Sequence, residues 1–140
     1  MYERDLNKLE EEIRLYPDEA FLWKVAQGIT NPGGNLCLHL CGNLQYYLGT
    51  VMGQTGYKRN RPMEFAAKDV PLSEVLKEVQ ATKKAVSTVL ANLKPEDLEK
   101  EYPELVFDKP MTIVDFLIHL AVHLGYHLGQ VNYHRRLLAS

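Results

Sequence analysis

The chain carries, at residues 116–138, the stretch FLIHLAVHLGYHLGQVNYHRRLL, in which apolar residues return at helical spacing and histidines return every four residues. Three of these histidines are His119, His123 and His127. Side chains four residues apart project from adjacent turns of one helical face. The stretch therefore predicts a long helix that carries a column of imidazoles.

A fourth histidine, His39, lies in a second apolar stretch, GGNLCLHLCGNLQYYLG, at residues 33–49. Two neutral imidazoles from one helix and a third from a facing helix can form a three-nitrogen metal site that keeps open coordination positions. This combination is the main indication of function in the sequence.

The rest of the chain also follows a helical pattern. Helices are predicted over residues 6–16, 31–52, 71–90 and 112–138. Asn31 is the expected N-cap of the second helix, and Thr112 with Asp115 resembles a capping box at the start of the fourth. The Gly-rich and Arg-rich stretch at residues 53–70 is interpreted as a loop. The expected fold is all-α, a single four-helix bundle domain over residues 1–140.

Composition narrows the class of protein. Apolar residues make up 46% of the 140, and the net charge is -2, so nothing in the charge favours binding to nucleic acid or to an anionic membrane. No apolar run reaches the roughly 20 residues that a membrane span needs. The expectation is a cytoplasmic protein with no nucleic-acid or membrane partner. Cys37 and Cys41 are expected to be reduced core residues.

A helical wheel ranks the histidines as metal ligands. His127 falls near the middle of the predicted apolar face of the last helix, and His123 falls near its edge. His119 lies about 40° further outward, so it is the weaker candidate. That face is formed by Ile113, Phe116, Leu120, Leu124 and Val131. His39 lies at the margin of the apolar face of its own helix, roughly opposite the two cysteines.

Two other interpretations compete with the metal site. A histidine on an apolar face can be a hydrogen-bonded core residue, and many pairs four residues apart are incidental. A di-iron bundle would need core glutamates and a Glu-x-x-His motif from each of two helices, and this chain has no such motif. His134, in the sequence HRR, is interpreted as part of a solvated helix terminus.

Three motifs together resemble the DinB superfamily, also called DinB/YfiT-like, and most closely a small bacterial branch of unassigned function. They are LCLHLCGNL around His39, RNRPMEF at residues 59–65 and HLAVHLGYHLGQV at residues 119–131. Trp23 also resembles that group, and the motifs follow in the same order from Trp23 to Arg136.

The resemblance implies a bundle of up-down-down-up connectivity and a divalent metal ion, Zn, Ni or Fe, held by His39, His123 and His127. His119 matches a family position that is often histidine without being a ligand. The commoner family form has Arg before Gly-Gln, where this chain has Leu128, so a contact that depends on that Arg is not transferred.

Polar residues near the histidines receive provisional roles. Asn43 and Gln130 are candidates to orient the imidazoles, although a polar group at the helix margin is the preferred interpretation of Asn43. The basic stretch at residues 57–61 is interpreted as a solvated loop in preference to the mouth of a site. Glu64 could accept a proton or pair with Arg59 or Arg61, and no catalytic base is assigned.

Two functions stay open at this point. Family relatives include thiol S-transferases, an isomerase and metal-dependent hydrolases, so the resemblance implies a metal-dependent enzyme acting on a small thiol or electrophile. The alternative is a non-enzymatic bundle, stabilised by metal, that acts in a stress response or binds a protein. Gly125 and Gly129, on the outer side of the last helix, favour close approach of another helix and predict a homodimer.

Overall fold

The computed structural model describes residues 1–139, and this part of the chain is helical. Its α-helices are α1 (Tyr2–Arg14), α2 (Gly33–Leu44), α3 (Arg61–Ala66), α4 (Leu72–Asn92) and α5 (Ile113–Ala139). Two 3₁₀ helices cover Glu19–Trp23 and Pro95–Asp97, and a π-helical segment, Gln45–Thr50, continues α2. The all-α prediction is confirmed over these residues.

The core forms between four of these helices, because α1 and α2 each pack against both α4 and α5. The face predicted for α5 is buried, and α1 and α4 contribute apolar residues at helical spacing. The buried residues of these two helices include Leu6, Leu9, Ile13, Val75, Val79 and Val86. The up-down-down-up connectivity stays a prediction. In the described residues, no helix is both long and apolar enough to cross a membrane.

The start of α2 differs from the prediction. Pro32 is the N-cap, with extended backbone and no capping side chain, and α2 begins at Gly33 in place of a helix capped by Asn31. The Gly33 N–H donates instead to Nδ1 of His134, on α5, over 3.2 Å. An N–H group at a helix start has no partner within the helix, so a distant imidazole supplies the missing acceptor.

His134 is therefore a core residue, and its interpretation as part of a solvated terminus was wrong. Its side chain is buried. Nε2 donates to the Lys24 carbonyl over 2.8 Å, while Nδ1 accepts from the Tyr16 hydroxyl over 2.6 Å. Burial lowers the pKa of His134, although the hydrogen bond to Lys24 opposes that effect. The neutral ring joins α5 to the segments around Tyr16 and Lys24.

The second half of the α2 region is π-helical where an α-helix was predicted up to Met52. The Val51 N–H donates to the Tyr46 carbonyl, five residues back, over 3.0 Å. The Tyr47 carbonyl accepts the Tyr102 hydroxyl over 2.6 Å. A distant side chain thus occupies a carbonyl that an α-helical turn would have used, and such wide turns often lie near functional sites.

The predicted loop at residues 53–70 contains the short helix α3, so that interpretation was wrong for Arg61–Ala66. The Asn60 side chain caps α3 by accepting from the Met63 N–H over 3.3 Å. Asn35, on α2, donates to the carbonyls of Glu64 and Ala67 over 3.1 and 2.8 Å. These bonds fix α3 against α2.

Gly34 lets the Trp23 indole lie directly against α2. A Cβ atom at Gly34 would lie 2.8 Å from the ring, a separation that real Cβ atoms do not tolerate. The indole is rigid and buried, so it cannot move aside without disturbing the packing around it.

Gly34→Ala should therefore lower the free energy of unfolding by about 1–2 kcal/mol, because overpacking outweighs the better helix propensity of alanine. Urea denaturation measures this. In a Trp23→Leu background, which removes the indole ring, the same substitution should cost little. An equal cost in both backgrounds would show that contact with the indole is not the cause.

Candidate metal centre

Three imidazoles from α2 and α5 meet in one cluster, which we call the histidine cluster: His39, His123 and His127. One nitrogen atom from each ring lies within 4.8 Å of the other two. Nε2 of His39 and Nε2 of His123 are 3.2 Å apart. The spacing of four residues on α5 places His123 and His127 on adjacent turns, and α2 presents His39 across from them. The structure thus brings together the three residues predicted as ligands.

The spacing of the cluster fits a metal ion. A tetrahedral ion with nitrogen ligands at 2.0–2.1 Å separates two of those nitrogens by about 3.3 Å. The 3.2 Å between the Nε2 atoms of His39 and His123 matches this separation. The three nitrogens could therefore hold one ion, while metal ligation itself stays a prediction.

Hydrogen bonds also leave the right nitrogens available. Nδ1 of His39 lies 3.0 Å from the Glu64 carboxylate and donates to it, so its Nε2 keeps a lone pair. Nδ1 of His127 lies 2.6 Å from the Gln130 amide oxygen and donates to it, with the same result for Nε2. Gln130, a candidate to orient an imidazole, thus contacts the ring of His127. Each of these two rings presents an unprotonated nitrogen to the cluster.

The electrostatics of the cluster favour neutral rings, which is the form that binds metal. Burial, followed by the neighbouring His127 and His39 rings, lowers the pKa of His123 to about 4. Burial also lowers the pKa of His127, although its hydrogen bond to Gln130 opposes the shift. Near neutral pH both rings on α5 are therefore uncharged.

Behind His39 lies a buried ion pair. Arg59 donates to both carboxylate oxygens of Glu64, from Nε over 2.9 Å and from Nη2 over 3.0 Å. Burial raises the pKa of Glu64, but the hydrogen bonds from His39 and Arg59 outweigh burial and the net pKa is lowered. Glu64 is therefore an ionised carboxylate that orients His39, an arrangement typical of histidines that bind metals.

A glycine makes room for this carboxylate. A Cβ atom at Gly42, one turn after His39, would overlap Oε2 of Glu64. The sequence allowed two roles for Glu64, as a proton acceptor or as the partner of an arginine. The structure shows that Glu64 pairs with Arg59 and with His39. The motif that resembled the family, residues 59–65, contains both ends of this ion pair.

The basic stretch at residues 57–61 divides into two kinds of residue. The Arg59 side chain is only 12% exposed because it lies in the ion pair, so its interpretation as solvated was wrong. Lys58 and Arg61 are exposed, in agreement with a solvated loop. Sequence spacing alone does not separate them, since the carboxylate that buries Arg59 comes from the following helix.

The remaining candidates lie outside the cluster. His119 is exposed, and its ring contacts Phe107 and Phe116, with its centroid 6.5 Å from that of His123. Among the described residues, the buried amide oxygen of Asn43 has no hydrogen-bond partner, so the expected role of Asn43 in orienting His39 is not observed. The two cysteines are free and buried, as predicted.

Aromatic rings flank the cluster, and the sequence analysis did not single them out. Phe65 packs on His39 with ring centroids 4.8 Å apart, and Tyr126 meets His127 edge-on at 5.3 Å. Phe65 directly follows Glu64 on α3, and Tyr126 directly precedes His127 on α5, so their position next to candidate site residues was the available signal. Each ring contacts one imidazole of the cluster.

His127→Ala should abolish metal binding, because two imidazoles hold a divalent ion far more weakly than three. Elemental analysis of protein without a histidine tag, after equilibration with Zn or Ni, should give about one equivalent in wild type and none in the variant. His119→Ala, on the same helix, is the matched control and should retain the metal. A wild type that takes up no metal would contradict the ligand assignment.

Glu64→Gln should weaken metal affinity by about 10- to 100-fold, because the amide no longer holds His39 with a charged acceptor. Competition with a chromogenic chelator measures the affinity, and circular dichroism confirms the fold. Glu74→Gln, at an exposed carboxylate on α4, is the control.

Glu64→Gln also leaves Arg59 without its counter-charge, which lowers stability. The double variant Arg59→Gln/Glu64→Gln separates this loss of stability from the loss of metal affinity. It should show the same loss of affinity with less loss of stability. Wild-type affinity in the folded double variant would mean that the carboxylate does not support the cluster.

Comparison with known proteins gives a family for the chain. A search of curated protein sequences finds no match. The family model described as the DinB superfamily matches residues 1–131, which include all three members of the histidine cluster. The chain belongs to the DinB superfamily.

Proposed function

We propose that this protein is a metal-dependent enzyme that acts on a small molecule and holds its divalent ion with His39, His123 and His127. The observation that carries the proposal is the convergence of three imidazole nitrogens within 4.8 Å of one another. The ionised Glu64 behind His39 and the amide of Gln130 beside His127 support it, since histidines that bind metals are commonly oriented by such partners.

The residues of the cluster suit an ion that keeps open positions. When bound to three imidazoles, a divalent ion lowers the pKa of a coordinated thiol or water and polarises a carbonyl. His123 and His127 are only half-buried, so a small molecule can approach the cluster from their side. Imidazole ligands suit Zn, Ni and Fe, and the donor set does not distinguish between these metals.

Transfer of a small thiol to an electrophile is the first candidate reaction. The carboxylate that contacts the cluster, Glu64, is bound to Nδ1 of His39 and to Arg59, so it is not free to act as a general base. A hydrolase depends strongly on a base, because the base must remove a proton from water. A thiol transferase depends less on one, because the pKa of a thiol is already much lower than the pKa of water. Hydrolysis of a small substrate is the second candidate.

The alternative is a non-enzymatic protein in which the metal only stabilises the fold. The cluster joins α2 to α5, so an ion bound there would favour the folded state. A stress-response or protein-binding role would need no turnover. The two proposals differ in what happens to the fold when the ion leaves.

With metal-loaded protein, a panel of small thiols and electrophiles should reveal turnover, and His127→Ala should lower it by at least about 100-fold because the ion is lost. His119→Ala should keep the activity. Thermal denaturation, with and without a chelator, should show that the His127→Ala variant and the metal-free wild type are still folded. Absence of turnover, together with unfolding when the metal is removed, would favour the structural alternative.

A further inference from the structure

One face of α5 is apolar and open to solvent along most of the helix. Ile118, Val122, Tyr126 and Tyr133 are 58–66% exposed, although each is a large apolar side chain. Rows of exposed apolar residues on one element are typical of interaction surfaces, whereas single exposed residues are not.

Charges and glycines complete this face. At 100° per residue, the four apolar residues, Gly129 and two charged residues fall within an arc of about 80°, and Gly125 lies about 20° outside it. The charged residues are Asp115, near the start of α5, and Arg136, near its end, and both are exposed. We call the set the α5 outer face: Asp115, Ile118, Val122, Gly125, Tyr126, Gly129, Tyr133 and Arg136.

The α5 outer face is complementary to its own reversed copy. If two α5 helices pack antiparallel with their midpoint between Gly125 and Tyr126, the Tyr126 ring lies opposite the partner's Gly125. Val122 then lies opposite the partner's Gly129. Near the axis, both of these bulky side chains therefore meet a residue without a side chain, which lets the helices approach closely.

The same register also pairs the ends of the face. Ile118 lies opposite the partner's Tyr133, which joins two apolar groups. Asp115 lies opposite the partner's Arg136, and the symmetry axis repeats this pair at the other end. Opposite charges fix the orientation of an interface when they can pair in a single register.

We propose that two copies of this chain associate through the α5 outer face, as an antiparallel pair of α5 helices about a twofold axis between Gly125 and Tyr126. The partner that covers this face is a second copy of the chain, because one face supplies both members of every pair. This property is typical of a symmetric dimer interface. The space beside Gly129 is open, since a Cβ atom there would meet no atom within 4 Å. The proposal goes beyond the proposed function and does not require a bound metal.

The interface would also reach the histidine cluster. Tyr126 belongs to the α5 outer face, and its ring meets that of His127 at 5.3 Å. A partner helix over Tyr126 would therefore form a wall beside the half-buried side of the cluster. The dimer would narrow the approach to the cluster without contributing a ligand.

Sedimentation equilibrium over about 1 to 500 µM protein tests the proposal, with a wild-type dimer as the expected result. Asp115→Arg should raise the dimer dissociation constant by about tenfold, because it places two arginines opposite each other at both ends. Asp115→Arg/Arg136→Asp should restore the wild-type value. Glu74→Arg, with the same charge change on α4, should have no effect.

Steric and cross-linking variants test the register. Gly129→Leu should weaken the dimer by about 100-fold, since leucine fills the space that the partner's Val122 needs. Tyr126→Cys, near the axis, should cross-link under mild oxidation. Ile118→Cys should not, because antiparallel packing separates its two copies by about 22 Å. Circular dichroism confirms that each variant is folded.

Three results would overturn the proposal. The first is a monomeric wild type at the highest concentration, which would leave the face to another protein. The second is a dimer whose dissociation constant does not change with Asp115→Arg or Gly129→Leu. The third is a cross-link at Ile118→Cys but not at Tyr126→Cys. Metal content distinguishes this proposal from the proposed function. Asp115→Arg should bind metal as wild type does, and His127→Ala should still dimerise.

Discussion

The histidine cluster depends on one buried carboxylate. Glu64 cannot be ionised inside the protein without partners, and it receives them from Arg59 on its own segment and from His39 on α2. That requirement adds to the Asn35 hydrogen bonds that hold α3 against α2, favours a glycine at position 42 and determines which nitrogen of His39 faces α5. The orientation of His39 thus follows from the need to satisfy a single charge.

What the sequence predicted well depends on helical periodicity. The buried face of α5 follows from a repeat of 3.6 residues, and the structure agrees with it. The same repeat placed His127 near the middle of that face and His123 near its edge, whereas the structure leaves both half-buried. The same reasoning placed His39 at the margin of the apolar face of its own helix. Local repetition was therefore enough for the helical class, whereas the meeting of His39 with His123 and His127 depends on how α2 packs against α5 and was implied by the family resemblance. The presence of a metal is a chemical question that periodicity does not answer.

The differences arise where distant contacts override local pattern. His134 looked like a solvated terminus because its neighbours are arginines, yet Tyr16 and Lys24 bury it. The π-helical turns depend on Tyr102, more than fifty residues away in the chain. The helix α3 spans six residues, which is too short for a periodic signal, and its position depends on Asn35. None of these contacts can be read from spacing within one segment.

The hydrogen bond from Gly33 to His134 also concerns the order in which the protein is made. The helix that presents His39 receives its N-terminal acceptor from a residue 101 positions later in the chain. At a synthesis rate of about 5–20 residues per second, that acceptor leaves the ribosome roughly 5–20 s after the helix it caps. His123 and His127 leave the ribosome shortly before that acceptor, so for most of this interval α2 lacks both its cap and the imidazoles of α5, and the nascent chain has no cluster with which to capture a metal ion prematurely.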